Sequence, residues 1–422
     1  MIVIVLFFLL LVLGLPIGFV ILISATAGVA ATTSTSLLIT IQQLFGGLNN
    51  SVLLAIPFFI IAGNLAAKGQ TSEHLIKVMN VLFGRMKGGP VIAAIFACTF
   101  FAAISGSSVA TIVAIGSIMI PGLIKAGYPE KLAIGVICAA GSIGILIPPS
   151  SPMISICVAM ETSVGKQFMA GFIPGVLLAV AWSAYVWYIS RKNNYGATET
   201  YTKQQSKEIF IKAIPALIFP IIVLGSIYTG WATATEASAI SVVYVLFVEM
   251  FIYRTLDIKA LPSVVYKALV TSATVTIVIG CAKVLDWLVT VNQIPSMIVE
   301  FLTTYVNSPI LFILLINIIF VVAGCFMNLI SLVVILSPIL MPALSYFGVD
   351  PIHFGIIAIM NAQIGFITPP FGTNLFVTMN ISNKSLGQVS KATLPFTVIL
   401  FLLTIAFSFI PQISLWLPSM MK

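Results

Sequence analysis

GSIGILIPP, the stretch at residues 141–149, interrupts an apolar run with two consecutive prolines, and AQIGFITPP at residues 362–370 does the same. Proline lacks a backbone N–H and disfavours helical backbone in the residue before it, and the glycine four residues earlier loosens the helix further. Each stretch therefore predicts a membrane helix that is broken at mid-span. Because hydrocarbon cannot satisfy the freed backbone groups, we expect both breaks to be buried in protein or to line a wet cavity.

The two stretches belong to a longer internal repeat. A lone proline in a membrane helix is commonly a kink with a packing role, but two breaks in matching positions favour a binding site. One constant offset in residue number relates the matching glycines and prolines without a gap: Pro121 to Pro342, Gly127 to Gly348, Gly144 to Gly365, Pro148 to Pro369 and Pro149 to Pro370. Since these residue types set backbone geometry, the pattern predicts two structural repeats.

The composition is that of a membrane protein. Of the 422 residues 60% are hydrophobic and 7% are charged, whereas soluble domains carry about 25% charged residues. We therefore expect an all-α polytopic membrane protein, with residues 1–23 kept as a first membrane helix rather than removed as a signal peptide. The five scattered cysteines do not suggest a disulfide framework or a zinc site. The net charge of +8 is explained by cytoplasmic loops, so nucleic acid is not an expected partner.

The first repeat is predicted to occupy residues 1–190. Residues 90–124 are interrupted at 105–108, and each arm is shorter than the roughly 18 residues of a full span, so they favour a re-entrant hairpin. His74 is interpreted as a solvated residue on an amphipathic surface helix. The predicted elements are spans at 1–23, 25–45 and 52–67, the surface helix at 68–89, the hairpin at 90–124, the broken helix at 131–160 and a span at 168–189.

A polar cytoplasmic connector at 191–210 is predicted to lead to a second repeat at 211–422. Its elements are spans at 211–229, 233–253 and 262–290, a surface segment at 295–306, a hairpin at 308–344, a broken helix at 352–380 and a last span at 393–417.

The distribution of positive charge predicts the orientation. The segments that flank the second hairpin carry no Lys or Arg, only Glu300 and Asp350. Because positive residues mark the cytoplasmic side, the first hairpin should enter from the cytoplasm and the second from outside. Inverted repeats with broken helices are typical of secondary transporters. Sixteen of the 19 Lys and Arg residues fall on the side assigned to the cytoplasm: Lys68, Lys77, Arg85, Lys87, Lys125, Lys131, Arg191, Lys192, Lys203, Lys207, Lys212, Arg254, Lys259, Lys267, Lys384 and Lys391.

The two hairpin tips and the two breaks should converge into one site. Their groups are neutral oxygens, which suit a hard monovalent cation, and we expect two or more sodium ions, one per tip and break. A single Ser or Asn in a membrane helix is more often a packing contact. The residues predicted to hold sodium are Ser105, Gly106, Ser107, Gly144, Ile147, Pro149, Gly324, Met327, Asn328, Gly365 and Thr368.

Helix amino ends near Ser107 and Asn328 would favour an anionic substrate. The residues predicted to bind it are Ser108, Ser150, Ser151, Thr373 and Asn374. Lys283 and Asp286, three residues apart, could neutralise each other. Structural roles are expected for both and for Glu236 and Glu249, with a partner or a lipid phosphate as the alternative contact of Lys283. The sequence has no phosphate-binding GxxxxGK motif, no His, Cys and carboxylate cluster and no nucleophile elbow, so neither ATP hydrolysis nor an enzyme is predicted.

The motifs in combination resemble a known family across essentially the whole chain. PFFIIAG at 57–63, SGSS at 105–108, GILIPPS at 144–150, TATEA at 233–237 and GFITPPFG at 365–372 are similar to the large membrane subunit of tripartite ATP-independent periplasmic (TRAP) transporters. The resemblance implies sodium-driven import of an organic acid, such as a C4-dicarboxylate or a sialic acid, across the bacterial inner membrane by an elevator movement.

The resemblance also implies two protein partners, a separate small four-helix membrane subunit and a soluble periplasmic binding protein. Two other interpretations remain open. One is a sodium and carboxylate symporter that works without a binding protein. The other is an ion channel, since channels also have re-entrant segments with neutral filters, although their filters usually come from symmetric oligomers.

Overall fold

The structure is a computed structural model that describes residues 2–196, 200–306, 308–325, 327 and 329–421, and every regular element within them is helical. Seven of the described helical segments are long and apolar enough to cross a membrane, which agrees with a multi-pass membrane protein. The helices are α1 (Ile2–Val12), α2 (Ile17–Thr32), α3 (Leu38–Leu48), α4 (Ala55–Lys68), α5 (Thr71–Phe83), α6 (Gly89–Ser105), α7 (Ser108–Lys125), α8 (Glu130–Ser142), α9 (Ser151–Met160), α10 (Val164–Asn193), α11 (Lys203–Tyr228), α12 (Ala234–Phe247), α13 (Leu261–Val291), α14 (Ile294–Tyr305), α15 (Pro309–Gly324), α16 (Leu329–Tyr346), α17 (Pro351–Phe366), α18 (Thr373–Ser382), α19 (Leu386–Ser408) and α20 (Gln412–Leu415).

The first 50 residues differ from the prediction, because three short helices replace the expected spans at 1–23 and 25–45. Gly14 has a left-handed backbone with φ of 79°, and Pro16 precedes α2, so α1 ends early. A run of Ser and Thr separates α2 from α3. In it, Thr33 bonds back to Val29 and the Ser36 hydroxyl accepts from the N–H of Leu38. Such side chains compete with the helical hydrogen bonds of the backbone.

Both predicted hairpins correspond to pairs of helices, α6 with α7 and α15 with α16. The second arm of the first hairpin, α7, has 18 residues and is long enough for a span, so the expectation that each arm is short was wrong for it. The helices α7 and α16 have 18 residues each, and their first residues, Ser108 and Leu329, are related by the offset of the repeat. The two broken helices are α8 with α9 and α17 with α18. Glycine and proline therefore mark the ends of these elements well.

Two groups of helices can be distinguished, and they touch each other where α4 contacts α6 and where α13 contacts α16. In one, α4 lies against α12 and α13, and α13 also contacts α2 and α3. In the other, α8 contacts α6, α7 and α19, while α17 contacts α15 and α19. Trp182 of α10 is fully buried in the second group, and its indole N–H donates to the carbonyl of Phe396 at 3.1 Å. The helix α5 contacts both groups. It packs against α6 of the second group and against α11, which in turn contacts α12 of the first group.

Two local predictions, for His74 and for the connector between the repeats, need correction. His74 is not solvated: it is buried, and its ring stacks on Tyr253 with 4.5 Å between ring centroids. Burial is the main cause that lowers the pKa of His74, and the positive charge of the neighbouring Lys77 lowers it further. The predicted connector at 191–210 is also shorter than expected, because α10 continues to Asn193 and α11 begins at Lys203.

Candidate functional site at the two helix breaks

The first break lies directly against the first hairpin tip. Between α8 and α9 the chain forms a 3-10 turn at Ile143–Ile145 and then the Pro148–Pro149 pair, and every residue from 141 to 151 is buried. A methyl group on Gly144 would overlap the carbonyl of Ser107. Gly106, at φ of 56°, lies equally close to the carbonyl of Pro149. The structure therefore brings the predicted tip and break residues of the first repeat together.

Hydroxyl groups organise this tip. Ser105 ends α6, and its hydroxyl lies 3.1 Å from the hydroxyl of Thr111. Ser107 is the N-cap of α7 and accepts from the N–H of Ala110 at 3.4 Å. Ser108 is the buried first residue of α7. Thr111 was missed by the sequence reasoning, although it lies one helical turn after Ser107, on the same face.

The second break repeats this contact with different residues. A methyl group on Gly365 would overlap the carbonyl of Gly324, the last residue of α15. The hydroxyl of Thr368 donates to the carbonyl of Ile364 at 2.6 Å. The side chain of Met327 lines an apolar cavity of about 600 Å³ between α1, α13 and α16. Asn328, the tip residue equivalent to Ser107, lies outside the described residues.

One hydrogen bond joins the two breaks. The side-chain amide of Gln363, on α17, donates to the backbone carbonyl of Ser142, at the end of α8, at 2.7 Å. Both residues are fully buried. They are equivalent under the offset that relates the two halves of the chain, so the repeat itself contained the signal that the sequence reasoning overlooked. The candidate site is therefore one assembly of two tips and two breaks.

The predicted substrate residues differ in how well their polar atoms are satisfied. Ser150 is the N-cap of α9, and its hydroxyl donates to the carbonyl of Ile145 at 2.7 Å. Asn374 is completely buried, yet neither its amide nitrogen nor its oxygen has a partner among the described residues. The hydroxyl of Ser151 and the side-chain oxygen of Gln363 are also without partners there. Thr373 is half-buried at the start of α18.

Unpartnered buried polar atoms are uncommon, because each costs about 1–3 kcal/mol. Atoms of this kind also occur elsewhere in the described chain, for example at Ser24 and Ser183, but those of Ser151, Gln363 and Asn374 are neutral oxygens and an amide nitrogen on the broken helices. Hard cations such as sodium take oxygen ligands of this type. The residues present therefore fit a sodium ion by the chemistry of their donor atoms.

A second polar network, which the sequence reasoning did not single out, holds α15, the first arm of the second hairpin, in place. Asn361 of α17 donates to Asn317 of α15 at 2.8 Å, and Ser408 of α19 donates to the same Asn317 oxygen at 3.2 Å. His353 extends the network, with its ring nitrogens 2.7 Å from the Ser414 hydroxyl and 3.1 Å from the Ser408 carbonyl. Most of these groups satisfy one another, and we assign the network a packing role, although the side-chain oxygen of Asn361 has no partner among the described residues.

The charged residues lie in other places. Lys283 and Asp286 form an ion pair at 3.0 Å, which confirms their predicted mutual neutralisation. Lys283 also lies 3.9 Å from Glu161, at the end of α9, and all three line a cavity of about 370 Å³. Glu236 completes a capping box with Thr233, in agreement with its predicted structural role. The environment of these carboxylates and ammonium groups is thus separate from the helix breaks.

Comparisons with known proteins agree with this architecture. A family model described as "Tripartite ATP-independent periplasmic transporter, DctM component" matches residues 4–413. The C4-dicarboxylate TRAP transporter large permease protein DctM of Pseudomonas aeruginosa is 40% identical over 377 residues, which are 89% of this chain and 88% of that protein. The sialic acid TRAP transporter large permease protein SiaM of Vibrio cholerae is 32% identical over 407 residues, 96% and 95% of the two chains.

Two solved transporter structures share the fold at low sequence identity. The YdaH transporter of Alcanivorax borkumensis superposes with a TM-score of 0.62 at 14% identity, covering 91% of this chain and 89% of that one. MtrF of Neisseria gonorrhoeae superposes with a TM-score of 0.52 at 12% identity, covering 89% and 82%. At such identities the likeness concerns the fold alone. The sequence matches show the family, which is a class of transporter permeases rather than enzymes: this chain belongs to the DctM family of tripartite ATP-independent periplasmic transporters.

Proposed function

We propose that this protein imports an organic acid anion, a C4-dicarboxylate or a sialic acid, together with sodium ions. The relatives that match along nearly the whole chain carry these two substrates in their names. Two observations support the proposal: the buried, unpartnered side-chain oxygens of Ser151, Gln363 and Asn374, which lie on the broken helices, and the hydrogen bond that joins the two breaks. The oxygens offer an ion the ligands that it requires and leave the charge of the substrate to be met by helix amino ends and bound cations.

Two or more sodium ions fit this proposal. Each hairpin tip lies against its own break, at Gly144 and Ser107 in one repeat and at Gly365 and Gly324 in the other. An ion at each contact would hold the tip closed over the break. ATP has no role, since the family description is ATP-independent and the chain has no phosphate-binding motif.

We further propose an elevator movement between the two helix groups. The repeats at residues 1–190 and 211–422 would have inverted topologies, with 191–210 on the cytoplasmic side. In support, α5 and α14 each connect a helix of the first group, α4 or α13, to a hairpin of the second group. If the second group slides as a rigid body past α4, α12 and α13, it would carry the site from one side of the membrane to the other without forming a continuous opening through the membrane.

The proposed setting is the bacterial inner membrane, with two protein partners. A small four-helix membrane subunit would pack against the first group, and a soluble periplasmic binding protein would deliver the substrate. A relative in Oleidesulfovibrio alaskensis is named as an isethionate TRAP transporter permease protein DctMQ, and this chain spans about two thirds of its length. Its longer chain supports the presence of a second membrane component.

Uptake into liposomes tests the function. The chain, its small subunit and the binding protein are reconstituted, and uptake of labelled acids is measured under an imposed sodium gradient. We expect steep sodium dependence with a Hill coefficient above 1, and uptake that persists without ATP. Undiminished uptake in sodium-free buffer would refute the coupling. Full activity without any binding protein would instead support the simpler symporter.

A further inference from the structure

Glu249 is a fully buried carboxylate at the end of α12. It lies in a π-helical turn, Val248–Ile252, of a kind that often marks a functional position. Its Oε1 accepts from the N–H of Thr71 at 3.1 Å and from the Thr71 hydroxyl at 2.6 Å. Its Oε2 accepts from the N–H of Gln70 at 3.0 Å and from the hydroxyl of Thr255. No Lys or Arg in the described part of the chain forms an ion pair with it.

The carboxylate caps a helix that is remote in sequence. The N-cap residue of α5, Gln70, makes no side-chain capping bond of its own. The N–H groups of the first turn would otherwise lack partners, and a negative charge at a helix amino end is favourable. A buried charge is costly unless it is well hydrogen-bonded. The amino end of α5 and the carboxylate of Glu249 therefore satisfy each other.

The backbone joint before α5 is built around this carboxylate. Only Gly69 and Gln70 separate α4 from α5. A methyl group on Gly69 would overlap the carboxylate of Glu249 directly. Just after the π-helical turn, Tyr253 stacks on His74 of α5 and adds a second contact to the same end. The amino end of α5 is thus held at two points by the end of α12.

The opposite end of α5 has weaker connections. Beyond it, the guanidinium of Arg85 donates to the carbonyl of Tyr201 at 3.1 Å, in an exposed position. The corresponding helix of the second half, α14, follows Asn292, whose amide donates to Thr32 of α2 at 3.2 Å, also exposed. Exposed polar contacts contribute little to stability compared with a buried charge bonded to several donors. Of these three polar attachments, that of Glu249 is the most buried and has the most hydrogen bonds.

We infer that Glu249 is a positioning residue for transport, which pins the amino end of α5 to α12 and makes Gly69 the fixed joint about which the first hairpin moves. The inference rests on the proposed elevator movement. The hairpin arm α6 begins only a short turn after the end of α5, so the arm must follow the orientation of α5. A fixed amino end converts a tilt of α5 into a displacement of the hairpin.

A cross-linking experiment tests the fixed joint. The double variant Thr71→Cys with Glu249→Cys removes the hydrogen bonds between α5 and the carboxylate of Glu249. A short bifunctional thiol reagent then joins the two cysteines by a covalent link. We expect slow uptake before cross-linking and faster uptake afterwards. The matched pair Arg85→Cys with Tyr201→Cys, at the other end of α5, should transport normally until it is cross-linked and then stop. Unchanged or slower uptake on linking residues 71 and 249 would overturn the inference.

Charge variants provide a second readout. Glu249→Gln keeps the shape of the side chain but loses charge-assisted hydrogen bonds, so we expect the maximal uptake rate to fall about 10-fold. The half-saturating sodium and substrate concentrations should stay unchanged, because the site at the breaks is untouched. Glu73→Gln removes the same charge from an exposed position on α5 and is the control. A Glu249→Gln variant with altered half-saturating concentrations and a normal maximal uptake rate would contradict the positioning role of Glu249.

If the protein with both cysteine substitutions does not fold, a double-mutant cycle tests the same contact. Gly69→Ala alone should lower uptake strongly, since the added methyl group displaces the carboxylate, but it should cause no further loss in Glu249→Ala protein, which already lacks the carboxylate and has room for the methyl group. Additive losses would refute the close contact. These outcomes are independent of the coupling ion. Sodium-independent uptake by the unmodified protein would refute the proposed function. If uptake depends on sodium but does not become faster when residues 71 and 249 are cross-linked, only the positioning role of Glu249 is refuted.

Discussion

Gly144 and Gly365 allow each broken helix to touch a hairpin tip, because any side chain at either position would enter a backbone carbonyl of the tip. Their importance comes from close approach, since neither has a positive φ. Gly122, on α7, has open space around its Cα, so it provides a matched comparison.

Gly144→Ala should therefore impair the proposed ion site. Overpacking of a tight contact costs about 1–3 kcal/mol, which corresponds to a rise of roughly 5- to 100-fold in the half-saturating sodium concentration. Sodium-dependent uptake and sodium-induced thermal stabilisation of the purified protein are the measurements. Gly122→Ala should leave both unchanged and slightly favour the helix. Equal effects of the two substitutions would argue against the tip contact.

Asn374→Leu separates binding from packing. Because neither polar atom of Asn374 has a partner in the described structure, replacing it with an apolar residue of similar size should maintain or raise the melting temperature. The half-saturating substrate concentration should rise. Asn361→Leu breaks the bonds to Asn317 and Ile357 and should lower the melting temperature. A destabilised Asn374→Leu protein with normal uptake would show that Asn374 only packs.

Several of these residues were predictable and others were not. Gly144, Ser107 and Ser150 stand out because glycine, proline and serine interrupt apolar runs. Glu249 was placed correctly in a structural role, but its partner Thr71 is 178 positions away. No local pattern indicates such a contact. The same limit explains His74, which has the helical spacing of an exposed face yet is covered by Tyr253.

At the scale of whole elements, helix ends marked by proline and glycine were predicted well, and the amino-terminal helices were not. A hydropathy window averages over Gly14 and Pro16 and over the Ser and Thr run after Thr32, so it merges short helices into spans. The hairpin arms posed the opposite problem, since α7 is long enough to cross a membrane. Length alone therefore does not distinguish a re-entrant arm from a span.

The orientation of α11 is a direct test at this scale. Its 26 residues measure about 39 Å, more than the hydrocarbon thickness of about 30 Å. Cysteine labelling of intact cells should modify Trp231→Cys, just beyond α11, where Trp231 is 91% exposed. Lys203→Cys, at the other end, should become reactive only after the membrane is permeabilised. Labelling of Lys203→Cys in sealed cells would reverse the proposed orientation.

At the scale of the whole molecule, the two halves of the chain are interleaved rather than side by side. The helix α8 of the first half packs against α19 of the second, α4 packs against α12, and α9 packs against α16. The bond between Gln363 and Ser142 joins the halves at the site itself. Neither half therefore encloses a complete core, and neither contains a complete site.

This interleaving has a consequence for biosynthesis. As the chain leaves the ribosome, α8 enters the membrane long before α19 has been made, because most of the second half lies between them. Until α19 is made, the face of α8 that packs against it must therefore contact lipids or insertion factors. A ribosome that stalls before Leu386 releases a polypeptide whose buried surfaces have no counterpart. Membrane proteases would recognise such a product by its exposed polar groups, the serines and amides that the finished transporter encloses around its helix breaks.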